Sequence, residues 1–425
     1  MKEDFLHYIW QYQYFDKRQL QTDEGEALQV FHPGHPHINA GPDFGHSRLK
    51  LGNMAWVGQV EIHIKASDWY KHGHSGDPLY ESVILHVVWE NDCEVRRQDG
   101  SLIPCLSLKN RVSPQLALRY QTLQEQTSKT EQKLPCQPWL GQLSPILKYA
   151  ALDRALLQRL ERRATEWLTL LHQIQGDWEQ AAYQQLAHYL GGVINAQPFV
   201  QIAQQVRWST LQREYSQPDQ LTARLFGYAG FLKDNPQDHY HEKLQKIFQW
   251  QQKGSDQSPI YPSWKWSRMR PSSFPTLRLA QLSATAHHHP HLLDVLQCHT
   301  AQQAEEWLQV PRPNYWQTNY HFGKPSKRAR KSWPIQPLLV NWFVPLCYTY
   351  GKYKGLESYQ ERAVSILQQI PSEQNKLLRI YQASGFHLNN AADSQGALEL
   401  QKYACKPRKC LSCPIGIKAL SVPDG

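Results

Sequence analysis

The sequence predicts an α/β protein with a mixed sheet near the N-terminus, a mainly α-helical body and a cysteine metal knuckle near the C-terminus. Three observations lead to this fold class. Strand patterns are concentrated before about residue 125. In much of the later chain, apolar residues recur every three or four positions, which is typical of amphipathic helices. Three cysteines lie close together at the end of the chain.

The predicted sheet begins with a hairpin. Two strands, RLKLGN and AWVGQVEIHIK, meet at Gly52 and Asn53, which predicts an antiparallel pair. A short segment, SDWYKHGHSGDPLYES, then leads to the apolar strand VILHVVW. Because a crossover between two strands favours parallel pairing, we expect a mixed sheet that is covered by helices.

The later chain has the periodicity of helices. A long amphipathic helix is predicted from Pro145 to His172. The next helix, DWEQAAYQQLAHYL, should end at Gly191 and Gly192. Polar segments and segments rich in Ser and Pro separate the helical patterns and mark the domain boundaries. The predicted domains are residues 1–125, 126–320 and 321–425.

Two carboxylates should converge at the hairpin. Asp43 precedes the first strand, and Glu61 lies late in the second. Since side chains alternate along a strand, Glu61, His63 and Lys65 share one face. A carboxylate in an otherwise apolar strand is costly to bury unless it is paired or bound to a metal. We therefore expect Asp43 and Glu61 to hold Mg²⁺ or Mn²⁺, with His63 or Lys65 orienting a water molecule.

Further histidines follow the hairpin. The crossover contains His72 and His74, Asp77 comes three residues later, and the next strand contains His86. Together with His63 they can furnish a nitrogen-rich site for zinc or manganese instead of magnesium. The alternative is that they are surface and capping residues of a loop. His86, within a buried strand, is equally compatible with a hydrogen-bonded core histidine.

The hairpin and the strand after it resemble the PD-(D/E)xK nuclease superfamily. Pro42 and Asp43 match the first part of its motif, and Glu61 matches the second acidic position. His63 occupies the position of the final lysine. Either His63 takes over that role, or Lys65 does, or the site is degenerate. The resemblance implies a restriction-endonuclease-like domain that hydrolyses phosphodiesters with magnesium at the two carboxylates.

The whole chain is also similar to an uncharacterised bacterial family that is defined only as a domain of unknown function. The similarity is carried by GPDF, GQVEIHIKASDWYKHGH, YESVILHVV, RMRPSSFPTLRLAQL and the terminal cysteine cluster. These stretches span most of the chain. The family implies no established activity.

The cysteines near the C-terminus have the spacing of metal ligands. In YACKPRKCLSCPIG, Cys405, Cys410 and Cys413 follow the pattern C-x4-C-x2-C, which suits a zinc ion or an iron–sulfur cluster equally. A fourth ligand is needed. The candidates are Cys136 and then Cys298, Cys347 and His387. Several nucleases similar to the PD-(D/E)xK type join one distant cysteine to a terminal trio in this way.

Net charge indicates a polyanionic partner. Lys and Arg outnumber Asp and Glu by 46 to 37, which gives a formal charge of +9. Two loop-like segments combine basic and aromatic residues that can hold phosphates and stack on bases. The predicted nucleic-acid contacts are Trp264, Trp266, Arg268, Arg270, Lys327, Arg328 and Arg330. The alternative is an ordinary solvated basic surface.

The N-terminal segment lacks the apolar core of a signal peptide, and the most apolar segment is too short and too interrupted to cross a bilayer. We therefore expect a cytoplasmic protein with reduced thiols and no membrane partner. The predicted function is that of a metal-dependent nuclease acting on DNA or RNA. The alternatives are a catalytically decayed nucleic-acid-binding or scaffold protein, and a zinc hydrolase that uses the N-terminal histidines.

Overall fold

The computed structural model describes residues 2–37, 41–125, 133–253, 258–266, 269–327, 329 and 332–421. The chain is mixed α/β and contains more helix than strand. It divides into two compact units. The first comprises Met1–Ala151, Ile380–Phe386 and Leu400–Gly425, and the second comprises Leu152–Arg379 and His387–Glu399. The three domains expected from the sequence stay a prediction.

A mixed sheet lies at the centre of the first unit. Its strands are β1 Leu28–His32, β2 His35–Pro36, β3 Phe44–Leu51, β4 Met54–Lys65, β5 Val83–Glu90 and β6 Cys105–Ser107. Their order is β1-β3-β4-β5-β6, with β2 also paired to β3. The pairs β1–β3, β2–β3 and β3–β4 are antiparallel, whereas β4–β5 and β5–β6 are parallel. The predicted hairpin and the parallel strand after it are confirmed.

The hairpin turns at the predicted residues. Leu51 pairs with Met54, so Gly52 and Asn53 form the turn. Gly52 has a φ of +54°, which glycine adopts without a steric penalty. The first half of β4 is largely exposed, and the strand is buried from Val60 to His63. Burial begins there because β5 pairs with β4 from Gln59 onward and covers its second edge.

The first unit carries short helices around this sheet. They are α1 Glu3–Tyr12, α2 Asp68–Lys71 and α3 Pro114–Gln124. α1 packs against β4 and buries its apolar face, including Phe5, Ile9 and Trp10. Glu3 and His7 lie on the remaining polar side, four residues apart and therefore on one side of the helix. The packing of α1 places these two polar side chains beside the buried half of β4.

The second unit is a helical body with an aromatic core that includes Trp167, Trp208 and Trp342. The helices after α3 are α4 Pro145–Gln173, α5 Trp178–Gln205, α6 Trp208–Arg213, α7 Pro218–Tyr228, α8 His239–Gln252, α9 Pro275–His288, α10 Ala301–Leu308, α11 Asn314–Thr318, α12 Gln336–Leu338, α13 Val344–Lys354, α14 Glu357–Gln369, α15 Lys376–Ala383, α16 Ala391–Leu400 and α17 Pro414–Leu420. Of these helices, α17, the start of α4 and the end of α15 belong to the first unit. Two short strands, β7 Asn319–His321 and β8 Lys324–Pro325, pair with each other. No described helix is both long and apolar enough to span a membrane.

Two helix predictions can be compared directly with the structure. The helix predicted from Pro145 to His172 is confirmed as α4. α5 continues past its predicted end, but its path is interrupted at Gly192, where φ is 60° and ψ is −163°. A Cβ at Gly191 would lie 2.8 Å from the Cα of Ala196, so the close approach at this kink requires glycine.

Candidate metal centre

The carboxylates of Asp43 and Glu61 lie side by side in the first unit. The main-chain N–H of Asp43 donates to Oε2 of Glu61 at 3.1 Å, and the N–H of Ile62 donates to Oδ2 of Asp43 at 3.0 Å. Each carboxylate is therefore tied to the strand that carries the other. This arrangement follows from the register of the hairpin, in which Phe44 pairs with Val60. The convergence predicted from the sequence is present.

The surroundings of the pair disfavour two bare negative charges. Glu61 is only 5% exposed. Burial, and then the neighbouring charge of Asp43, raise the pKa of Glu61 to about 9. Burial and the same charge also raise the pKa of Glu3. A divalent cation would offset both effects, because it supplies positive charge where carboxylates are crowded and poorly solvated.

Helix α1 adds two groups that the sequence analysis did not single out. His7 Nε2 is 3.2 Å from Oδ2 of Asp43 and 3.9 Å from Oε1 of Glu3. The potential ligand atoms of Glu3, His7 and Asp43 all lie within 4.8 Å of one another. The spacing of Glu3 and His7 was visible in the sequence. Nothing local, however, indicates that this helix packs against β4.

Four histidines gather beside Glu61. His63 Nε2 lies 3.1 Å from Nδ1 of His72, and His63 Nδ1 lies 2.9 Å from Nε2 of His86. Oε1 of Glu61 is 3.5 Å from Nε2 of His63 and 3.4 Å from Nε2 of His74. The four histidines that the sequence grouped therefore lie close together, and Oε1 of Glu61 adjoins two of them. Their role as a metal site stays a prediction.

Burial keeps the inner histidines uncharged. It is the main cause that lowers the pKa of His63 to about 2, and the neighbouring His86, His72 and His74 lower it further. Burial likewise lowers the pKa of His86 to about 4. A neutral imidazole has one nitrogen with a free lone pair, so these side chains are in the protonation state that binds metal ions.

Two other predicted site residues have different contacts. Lys65 is exposed at the end of β4, and its main-chain N–H donates to Oδ2 of Asp68. Asp77 caps the short 3₁₀ helix Pro78–Tyr80, because its Oδ1 accepts the N–H of Leu79 at 2.9 Å. Among the described residues, Asp77 does not belong to the two groups of closely spaced potential ligand atoms. The carboxylates of Asp43 and Glu61 adjoin the histidines His7, His63 and His74.

The four cysteines predicted to form the knuckle belong to the first unit. Among the described residues, they do not form one of the groups whose potential ligand atoms all lie within 4.8 Å of one another. Burial is the main cause that raises the pKa of Cys136, and the thiols of Cys405, Cys413 and Cys410 raise it further. Burial also raises the pKa of Cys405 to about 11 and that of Cys410 to about 12. The hydroxyl of Tyr381 lies 3.5 Å from Sγ of Cys405. Of the candidate fourth ligands, Cys136 is the one that belongs to the same unit as the trio, and the knuckle stays a prediction.

The other candidate fourth ligands belong to the second unit. Cys347 is buried in the helical core and donates its thiol hydrogen to the carbonyl of Tyr359. Cys298 is buried in the same core. His387 is also part of the second unit.

Comparison with known families places the chain in one of them. A family model described as "Protein of unknown function (DUF2851)" matches residues 3–376. The chain belongs to the DUF2851 family. No curated protein and no solved structure matches it. Membership of an uncharacterised family was expected and is confirmed, and the resemblance to PD-(D/E)xK nucleases stays a prediction. The match includes both carboxylates, the histidines and Cys136, whereas Cys405, Cys410 and Cys413 lie beyond it.

The tryptophans predicted to contact nucleic acid pack within the second unit of this DUF2851 protein. Trp264 donates its indole N–H to the carbonyl of Ala229 at 2.8 Å, and its ring packs on Phe231. Trp266 packs on Phe231 as well. Both tryptophans are half-buried. Of the predicted basic contacts, Arg270 and Lys327 are exposed, and Arg268, Arg328 and Arg330 lie outside the described residues.

A basic groove in the first unit of the DUF2851 protein adjoins the carboxylates. It has a volume of about 440 Å³. Its lining includes three cationic residues, Lys2, Arg408 and Lys409, and one carboxylate, Asp4. His7, which contacts Asp43, also lines it. The groove therefore connects the candidate cation site with the loop between Cys405 and Cys410.

The capping role of Asp77 in the DUF2851 protein is testable. Replacing Asp77 with Ala should lower the free energy of unfolding by about 0.5–2 kcal/mol, because the cap is lost. Asp99→Ala is a matched control, since Oδ1 of Asp99 accepts the N–H of Ser101 in a turn. Urea unfolding should show similar losses for both variants, with Mn²⁺ affinity unchanged in calorimetric titrations. Loss of Mn²⁺ binding in Asp77→Ala alone would contradict the capping role.

Proposed function

We propose that the protein is a metal-dependent phosphodiesterase that acts on DNA or RNA, with a divalent cation held by Asp43 and Glu61. The proposal rests on one observation. The carboxylates of Asp43 and Glu61 each accept a main-chain hydrogen bond from across the hairpin, and Glu61 is buried. The order of hairpin, crossover and parallel strand supports the finer interpretation, a restriction-endonuclease-like domain. Glu3 and His7 extend the site beyond the two residues that the sequence indicated.

The residues divide the chemistry between them. A bound divalent cation supplies a polarised phosphoryl oxygen and a water of lowered pKa. Asp43, Glu61 and Glu3 would hold it through oxygen atoms, which are the ligands that Mg²⁺ and Mn²⁺ prefer. The role of orienting the attacking water, expected for His63 or Lys65, falls to a histidine. His7 is well placed for it, because it adjoins both Asp43 and the groove.

The basic groove supports a phosphodiester substrate. Phosphate contacts from Lys and Arg supply most of the sequence-independent affinity for nucleic acids. Lys2, Arg408 and Lys409 line the groove with a net positive charge. Because His7 also lines it, a backbone bound there would reach the carboxylate pair. A catalytically decayed nucleic-acid-binding protein would use the same groove without cutting. The presence of His63 where the nuclease motif has Lys favours keeping this function as the second candidate.

The four cysteines fit a structural metal centre, either zinc or an iron–sulfur cluster. The C-x4-C-x2-C spacing of Cys405, Cys410 and Cys413 supports this proposal, and all four cysteines belong to the first unit, where Cys136 and Cys410 are buried. A bound metal stabilises thiolates, so it would offset the raised pKa values of this cluster. We propose that the centre fixes the C-terminal residues of the first unit to the segment around Cys136. It would thereby also hold the loop that carries Arg408 and Lys409.

Neutral replacements of Asp43 and Glu61 test whether these carboxylates are needed for cleavage of nucleic acid but not for its binding. Asp43→Asn and Glu61→Gln keep the shape of the side chains but remove the negative charges that hold the cation. Cleavage of DNA or RNA in Mg²⁺ or Mn²⁺ should fall by about 10²–10³-fold, the scale of losing one group that stabilises charge in a transition state. Binding without metal should persist or improve. Single-turnover cleavage and fluorescence anisotropy measure the two effects.

Glu94→Gln is the control for this pair, since Glu94 is exposed and forms an ion pair with Arg96. It should change neither cutting nor binding. A wild-type protein that binds nucleic acid but cuts none, across a broad panel of structures and metals, would favour the decayed binder. Cleavage that survives both replacements would end the proposal.

The groove can be tested through the salt dependence of binding. Replacing Lys2, Arg408 and Lys409 together with Gln should weaken binding of nucleic acid without metal. The slope of log K against log salt should become shallower by about 0.7–0.9 per lost phosphate contact. Lys327→Gln alters an exposed lysine of the second unit that the sequence had indicated. If Lys327→Gln weakens binding and the triple variant does not, the groove is not the binding surface.

The cysteine centre predicts a stoichiometric metal. Anaerobically purified protein should contain either about one zinc or an iron–sulfur cluster with broad visible absorption. Cys136→Ser should remove or loosen the metal and destabilise the C-terminal segment, since structural zinc sites contribute about 10–16 kcal/mol of apparent binding energy. Cys93→Ser is the control, because Cys93 is only partly buried and is not one of the four. Absence of both zinc and iron from the cysteines would contradict the centre.

A further inference from the structure

A second set of potential metal ligands faces Glu61 from the side opposite Asp43. Glu61 directs Oε2 to the main chain of Asp43, while Oε1 faces the histidines. The ligand atoms of His63, His72 and His74 lie within 4.8 Å of one another. They come from β4 and from the crossover, and they are separate from the group formed by Glu3, His7 and Asp43.

We propose that His63, His72, His74 and Glu61 form a binding site for a transition-metal ion of the zinc class, distinct from the cation at Asp43. In a tetrahedral zinc site with bonds of about 2.0–2.1 Å, neighbouring ligand atoms are about 3.3–3.4 Å apart. The atom pairs His63–His72, Glu61–His74 and Glu61–His63 are separated by 3.1, 3.4 and 3.5 Å. These three pairs have the spacing of such a site, and the potential ligand atoms of the three histidines all lie within 4.8 Å of one another.

An unpaired nitrogen points to a missing ligand. Nε2 of His74 is buried and has no hydrogen-bond partner among the described residues, although it lies 3.4 Å from Oε1 of Glu61. An unsatisfied buried polar atom is costly, and a metal ion would satisfy it. His74 is held in place by its ring, which stacks on Tyr80 with centroids 3.8 Å apart. His72 is exposed and leaves an entry path for the ion.

The residues behind the ligands orient them. Metal-binding histidines usually bond their second nitrogen to another group, which fixes the first nitrogen toward the ion. Nδ1 of His63 is engaged with Nε2 of His86 at 2.9 Å, so Nε2 of His63 is directed to Glu61 and His72. His86 is completely buried and therefore acts as a positioning residue in this site.

The chemical class of the ion follows from the ligands. Three imidazoles and one carboxylate suit zinc and related transition metals, whereas magnesium prefers oxygen ligands. Glu61 lies between the two sets and is able to bridge two cations, the arrangement used by many two-metal phosphodiesterases. The zinc-class site itself rests on the geometry of these side chains and does not depend on the proposed nuclease activity.

The test compares zinc binding by the full-length wild-type protein and by variants, using equilibrium dialysis with metal analysis. His72→Gln with His74→Gln should bind about one zinc fewer, because two of the four ligands are lost. His32→Ala with His35→Ala is the matched control, since these histidines form another close pair in the first unit, with ring centroids 5.0 Å apart. It should leave the zinc content unchanged.

Cobalt and a positioning variant make the test more specific. Co²⁺ at this site should give the visible spectrum of a tetrahedral ion with nitrogen and oxygen ligands, and Cys136→Ser should retain that spectrum. His86→Gln should weaken zinc binding by about 10–100-fold, the range for losing a group behind a ligand. The exposed position of His72 makes His72→Gln alone a variant that should fold, and it should also lower the affinity for zinc.

The outcomes separate this site from the proposed function. Zinc bound through the histidines by a protein that cuts no nucleic acid would support the site and contradict the nuclease. Equal zinc content and affinity in wild type and in His72→Gln with His74→Gln would overturn the site, even if cleavage continues. Asp43→Asn should lose cleavage and keep the histidine-bound zinc. An equal loss of zinc in the His32 and His35 control would also overturn the site.

Discussion

Burial of the Glu61 carboxylate in the middle of a sheet is the constraint on which the rest of the site depends. β3 and β5 pair with the two edges of β4, and helix α1 packs against this strand, so Glu61 is buried. Asp43 lies beside it and adds a second negative charge. Such a carboxylate must be protonated or matched by positive charge. Without a cation, the raised pKa of Glu61, about 9, corresponds to the first solution. We propose that a bound divalent cation provides the second.

The architecture brings ligands to Glu61 from two sides. Helix α1 contributes Glu3 and His7 next to Asp43, and the short crossover between β4 and β5 contributes His72 and His74. The hairpin itself holds the two acids next to each other through main-chain hydrogen bonds. The second oxygen of Glu61, Oε1, then faces His63 and His74. A rigid sheet thus carries the central groups, and shorter elements complete the site around them.

Local sequence patterns predicted that Asp43 and Glu61 meet. The residues around them, such as Glu3 and His7, are brought there by packing between segments that are distant in the sequence. The turn at Gly52 and Asn53 and the alternation along β4 are local features, so the meeting of Asp43 with Glu61 followed from the sequence. The role of α1 did not, because amphipathicity shows that a helix packs but not where. The packing of Trp264 on Phe231 was likewise not predicted, because these two residues are distant in the sequence. The spacing of Cys405, Cys410 and Cys413 is a local pattern, whereas which distant cysteine belongs to the same unit as these three depends on the fold.

The most direct test of the central claim is anomalous scattering from crystals of the full-length protein grown with Mn²⁺. We predict an anomalous peak within about 2.0–2.6 Å of carboxylate oxygens from both Asp43 and Glu61, the range of bonds from oxygen to hard divalent cations. Such a peak would place a cation where the buried charges require one. Mn²⁺ bound only elsewhere, with both carboxylates ordered and no anomalous peak beside them, would contradict the account.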